Sequence, residues 1–87
     1  MYKIEFDKEW DKYFEELPKD MQIRIWKKIN KIKEGISSRH LGHGIGYFVA
    51  EIGQYRICYK SFENEKIVRF YFAGKHKDYE RWYGGRK

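Results

Sequence analysis

Tyr47-Phe48-Val49-Ala50-Glu51-Ile52-Gly53-Gln54-Tyr55-Arg56-Ile57-Cys58-Tyr59-Lys60 sets the architecture of this chain. Residues 47–52 and 55–60 alternate between the two sides of an extended backbone and are rich in aromatic and β-branched side chains, as strands require. Gly53-Gln54 separates them by two residues, with glycine at the first central position, where a type II′ hairpin turn needs a positive φ. That turn fixes the register: Ile52 faces Tyr55 and Glu51 faces Arg56. A third strand over 66–73 follows a second turn through Phe62-Glu63-Asn64-Glu65. The period of two then places Phe48, Ala50 and Ile52 on one face with Tyr55, Ile57, Tyr59, Val68, Phe70 and Phe72. The opposite face collects Glu51, Arg56, Cys58, Lys60, Arg69 and Tyr71, and is expected to lie uncovered.

The apolar face needs cover, and the N-terminal third supplies it. Residues 2–6 alternate as a short strand, and Asp7 offers an N-cap to a helix carrying Trp10, Tyr13, Phe14 and Leu17 at the spacing of one helical face. Pro18 ends that helix and suits the first turn of the next. Met21, Ile25, Ile29 and Ile32 repeat at helical spacing, Ile23 and Trp26 widen the stripe, and Gly35 is a stop signal. Lys27, Lys28, Lys31 and Lys33 occupy the outer face and read as a solvated surface. The expected fold is therefore α+β, in the order β-α-α-β-β-β. An antiparallel sheet is covered on one face by an N-terminal helical hairpin, and a short C-terminal helix closes the chain over 76–83. Residues 36–46 form a loop whose three glycines match neither dinucleotide- nor phosphate-loop spacing.

Length and composition narrow the function. Eighty-seven residues make one domain, 1–87, too small for a full dinucleotide fold. Aromatic residues reach 20%, which argues against a disordered chain. No apolar run approaches a membrane span, and the first residues lack the apolar core of a signal peptide, so a cytoplasmic protein is expected. One cysteine and three dispersed histidines (His40, His43, His76) suggest neither a disulfide nor a metal site. No cofactor is expected. The net charge is +6, and its placement is uneven: residues 39–87 hold ten Lys/Arg against five Asp/Glu, interleaved with Tyr, Phe and Trp. Cations neutralise phosphates and aromatic rings stack on bases, which favours a nucleic-acid partner. An acidic protein partner remains the alternative.

The order of elements, the run from Gly53 to Tyr59 and the closing Gly74-Lys75-His76-Lys77-Asp78-Tyr79 resemble the RelE/ParE toxin superfamily over nearly the whole chain. The resemblance implies the toxin of a type II toxin–antitoxin pair, held in check by a small acidic or amphipathic antitoxin. RelE-type members are ribosome-dependent endoribonucleases that cut mRNA in the ribosomal A site without a metal. ParE-type members share the fold and inhibit gyrase, so a gyrase inhibitor or a catalytically silent binding member is the alternative.

Metal-free RNA cleavage needs a group to take the 2′-hydroxyl proton, a cation on the scissile phosphate and an acid for the 5′ oxygen. Arg56 suits the phosphate, because its planar fork holds two oxygens. His76 exchanges a proton near neutral pH. The resemblance places a tyrosine shortly after it, at Tyr79, with Tyr83 as the alternative. Arg69, Lys75, Lys77 and Arg81 are the further phosphate contacts. RelE-type enzymes often carry lysines on the strand before the arginine strand. This chain has none between 47 and 52, and Glu51 or His43 stands in as base.

Overall fold

A computed structural model describes residues 2–34, 47–62 and 64–84. The elements run β1 (Lys3–Phe6), α1 (Trp10–Phe14), α2 (Lys19–Glu34), β2 (Phe48–Ile52), β3 (Tyr55–Phe62), β4 (Ile67–Lys75) and α3 (His76–Gly84). Gly35 and the 36–46 loop, with His40 and His43, lie outside the described residues, as do Glu63 and the last three positions. Among the described residues no helix is long and apolar enough to cross a membrane.

The β2–β3 hairpin has the expected register, Ile52 opposite Tyr55 and Glu51 opposite Arg56. Gly53 sits at φ +61°, whereas Gln54 has a negative φ, the pairing of signs a type II′ turn needs. At the second turn Lys66 takes a left-handed φ of +57°, which delays β4 to Ile67.

The sheet is mixed rather than antiparallel. Its order is β1-β4-β3-β2, and β1 pairs with β4 in parallel, Glu5 opposite Arg69 and Phe6 opposite Phe70. Two helices carry the chain across the sheet between β1 and β2, and only the outer side of β4 remains open to β1. Alternation within residues 2–6 specifies a face and says nothing of strand direction.

The helices are unequal. Asp7 does not cap α1 directly: its carboxylate accepts from Glu9 N at 3.2 Å and its carbonyl from Trp10 N at 2.9 Å, so the helix begins at Trp10. α1 ends at Phe14, leaving Leu17 in the connecting turn. Gln22 closes that turn, its side-chain amide donating to the carbonyls of Phe14 and Leu17 at 3.1 and 3.0 Å. α2 buries Met21, Ile25, Ile29 and Ile32 as its spacing requires. Ile23 and Trp26 do not widen that stripe but stay exposed, since the sheet meets only one side of the helix; Trp26 leans on Phe6, ring centres 5.9 Å apart. The main core joins Trp10 and the four α2 residues to Ile57, Tyr59, Val68 and Phe70. Each such aliphatic or aromatic side chain contributes about 1.5–3 kcal/mol by leaving water.

A bulge in β4 reassigns the other face. Tyr59 pairs with Phe70 but Cys58 pairs with Phe72, so Tyr71 is the inserted residue. Phe72 consequently leaves the main core. It joins Cys58 and Trp82 in a second cluster, with Tyr13, Tyr47, Val49, Tyr71, Tyr79 and Tyr83 around it. That face is not uncovered. α3 lies across it rather than along its edge, driven by Trp82, which stacks on Phe72 with centres 5.3 Å apart.

Candidate active site

The Gly53 turn places Glu51 and Arg56 side by side on neighbouring strands, and their side chains meet at 3.2 Å (Arg56 Nη2 to Glu51 Oε2). Glu51 is well exposed, so the pair contributes about 0–1 kcal/mol to stability. Its value is positional. Arg56 is also held from α3, its guanidinium 5.0 Å from the centre of the Tyr79 ring. A cation over an aromatic face gains about 0.5–1 kcal/mol at such a site. The second cluster thus has a functional consequence: Trp82 docks α3, and α3 presents Tyr79 to Arg56.

The first turn of α3 is stitched to the same hairpin. His76 N donates to the carbonyl of Gln54 at 3.2 Å. The His76 side chain turns outward, Nε2 lying 3.0 Å from Glu80 Oε2 one helical turn on. That contact occupies Nε2 and leaves Nδ1 without an ion-pair partner among the described residues. Glu51, Arg56, Lys75, His76 and Lys77 line one open concavity of about 550 Å³, floored by Gly53 and Gln54. Three permanent cations there face one carboxylate, which makes it a site for an anion.

Burial in the second cluster raises the Tyr79 phenol above its usual value; Cys58 raises it further, while Arg56 opposes. At neutral pH Tyr79 therefore keeps its proton. It can donate a hydrogen bond or stack, but it is no base.

The remaining sequence-derived candidates are distributed. Tyr83 sits against Tyr79, ring centres 5.7 Å apart. Arg81 lines a second concavity of about 650 Å³ between α3 and the α1–α2 turn, with Tyr13, Asp78 and Lys75, the last of which also borders the Arg56 concavity. Arg69 stands away from Arg56, near the β1 edge. Its guanidinium is engaged by Glu5 at 3.1 Å and Asp7 at 3.6 Å, as the parallel register dictates. His43 lies outside the described residues. Among the described residues no three His, Cys, Asp or Glu side chains come together to hold a metal. Glu80 and the Gln54 carbonyl were not anticipated from sequence. The i, i+4 spacing of His76 and Glu80 was the available signal for the first; only the hairpin's geometry reveals the second.

No protein-family model matches the sequence, and no curated protein does. Solved structures do. The chain superposes on the isolated E. coli RelE toxin with a TM-score of 0.78, covering 100% of both chains at 17% identity. The chain has the RelE toxin fold. The toxin of the intact E. coli RelBE toxin–antitoxin complex matches with a TM-score of 0.75 at 21% identity, covering 86% of this chain and 96% of that one. A chain of the Mycobacterium tuberculosis RelBE2 complex matches at 0.74 and 16% identity, covering 86% and 91%. In this RelE fold the Arg56 concavity lies where β3, the Gly53 turn and the start of α3 converge.

Proposed function

We propose that the protein is the toxin of a type II toxin–antitoxin pair and a ribosome-dependent endoribonuclease that cuts mRNA in the A site. The observation that carries this reading is the convergence of Arg56, Glu51 and His76 on one cationic concavity of a RelE fold, with the Tyr79 ring against Arg56. Arg56 binds the non-bridging oxygens of the scissile phosphate and stabilises the extra negative charge of the pentavalent transition state. Glu51 accepts the 2′-hydroxyl proton as that oxygen attacks phosphorus. The bond from phosphorus to the 5′ oxygen breaks, and His76 protonates the departing oxygen. Products are a 2′,3′-cyclic phosphate and a 5′-hydroxyl. Tyr79, neutral and backed by the second cluster, stacks on a splayed base beside the cut. Lys75 and Lys77 hold adjacent phosphates.

Glu51 is exposed and already tied to Arg56, so alignment of the substrate has to come from the ribosome. An antitoxin partner follows from the same reading. RelB-type antitoxins accompany several of the structures this chain resembles. An acidic or amphipathic segment closing over Arg56, or prising α3 from its cluster, would silence the site. Primer extension on programmed ribosomes tests the proposal: cuts within the A-site codon support it, and little cleavage of free RNA is expected. DNA breaks in a gyrase assay without ribosomal cuts would replace it with the gyrase-directed alternative.

A further inference from the structure

α2 carries Arg24, Lys27, Lys28 and Lys31 at the i, i+3, i+4, i+7 spacing of a single helix face. Like charges at these spacings repel and weaken a helix, so such a stripe is not neutral to folding. Asp20 and Glu34 stand beyond the two ends of the stripe, but no acid falls within it, and among the described residues no carboxylate pairs with any of the four. The stripe also belongs to a concave surface. The four cations, with Glu51 and Gly53, line a depression of about 380 Å³. Glu51 and Gly53 line the Arg56 concavity too, so the two are continuous. The Arg24 guanidinium reaches the hairpin turn: its nitrogens lie 3.7 and 3.9 Å from where a Cβ on Gly53 would project, ordinary contact distances that place α2 beside the turn.

We infer that Arg24, Lys27, Lys28 and Lys31 form a backbone track for the RNA strand whose scissile phosphate sits at Arg56. The inference rests on the proposed cleavage reading and adds where the flanking nucleotides run. From position 24 to 31 the helix rises about 10 Å, enough with the reach of the side chains for about three consecutive phosphates of one strand. Lysines fit this use better than base recognition, since an ammonium on a flexible stem meets phosphate as a point charge. The track should therefore be indifferent to sequence and sensitive to salt.

The test measures binding rather than cutting. Fluorescence anisotropy follows the wild-type protein and the R24Q/K27Q/K28Q/K31Q variant with fully 2′-O-methylated RNAs of about 4 and about 12 nucleotides, which lack the attacking hydroxyl. Wild type should bind the longer RNA about tenfold more tightly at low salt, and the variant should bind both alike. The slope of log affinity against log salt should flatten by about 2, at roughly 0.7 per lost phosphate contact. Thermal unfolding checks the fold, and K27Q/K31Q replaces the quadruple variant should that one not fold. Retention of the length advantage and slope in the folded variant would overturn the inference. So would loss of ribosome binding with the oligonucleotide advantage intact, which would assign the stripe to ribosomal RNA. Wild-type indifference to both RNAs, with variant-sensitive binding of an acidic peptide, would assign it to a protein partner. A protein that binds as expected yet cuts nothing would refute the cleavage reading and leave the track standing.

Discussion

Replacing Trp82 with alanine should loosen α3 and expose Cys58, and the effect can be sized from the packing. Trp82 is 6% exposed and stacks on Phe72 at 5.3 Å and edge-on against Tyr47 at 5.1 Å, whereas Cys58 beneath is 0% exposed. Truncating a buried tryptophan costs about 3–5 kcal/mol. Nine residues are too few to hold a helix on their own, so the loss falls first on the docking of α3. Three kcal/mol shifts a local opening equilibrium by about 150-fold. The sole cysteine reports it directly. Labelling with a thiol reagent under native conditions should accelerate about 10²-fold in Trp82→Ala, because the thiol reacts only when α3 lifts. A wholly global loss would instead lower Tm by about 12–24 °C, at roughly 4–8 °C per kcal/mol for a domain this size. Faster labelling with a smaller drop in Tm is the expected pair of results. A folded Trp82→Ala protein whose Cys58 labels no faster than wild type would refute the idea that Trp82 anchors the helix.

Gly74→Ala should destabilise by about 1–3 kcal/mol in chemical denaturation, since its Cβ would come within 2.7 Å of the buried Phe72 ring, which Tyr13 and Trp82 box in. Tyr59, Tyr71 and Tyr79 all have phenols raised by burial, so the native state holds protons that the unfolded chain releases near pH 10. Stability should stay level with respect to these groups below that pH and fall as pH rises above it, and Tyr79→Phe should shallow the fall in alkaline unfolding curves. Arg69→Ala should cost up to about 1 kcal/mol through Glu5 and Asp7 and leave cleavage per folded molecule within about twofold; a large specific loss would instead place Arg69 on the RNA.

Much of the frame was readable before any coordinates, because local chemistry dictated it. Gly53-Gln54 specified both a turn and a register, and Met21, Ile25, Ile29 and Ile32 specified a buried stripe. The failures share a cause. Phe70-Tyr71-Phe72 is aromatic at three consecutive positions, so alternation carries no phase there and a one-residue bulge leaves no trace in the pattern. Missing that bulge left Phe72 on the wrong face and hid the second cluster, which then made the α3 face look bare. Strand direction at β1 was equally unreadable, since parallel and antiparallel partners impose the same period. At the site, Arg56 and Glu51 were fixed by the hairpin register. The support from Tyr79 and the Gln54 carbonyl depended on where α3 docks, which only the tertiary packing of Trp82 determines.

Single-turnover cleavage of A-site mRNA on programmed ribosomes, compared between wild type and Arg56→Ala, bears most directly on the proposed chemistry. Exposed Lys8→Ala serves as the surface control, and every protein is first shown to unfold cooperatively. Loss of one preorganised charge contact predicts a rate lower by about 10²–10³-fold in Arg56→Ala, and at least about 10²-fold lower in His76→Ala. Arg56→Lys should recover only part of the rate, because an ammonium cannot hold two phosphate oxygens. Wild-type cleavage by a folded Arg56→Ala protein would contradict the account at its centre.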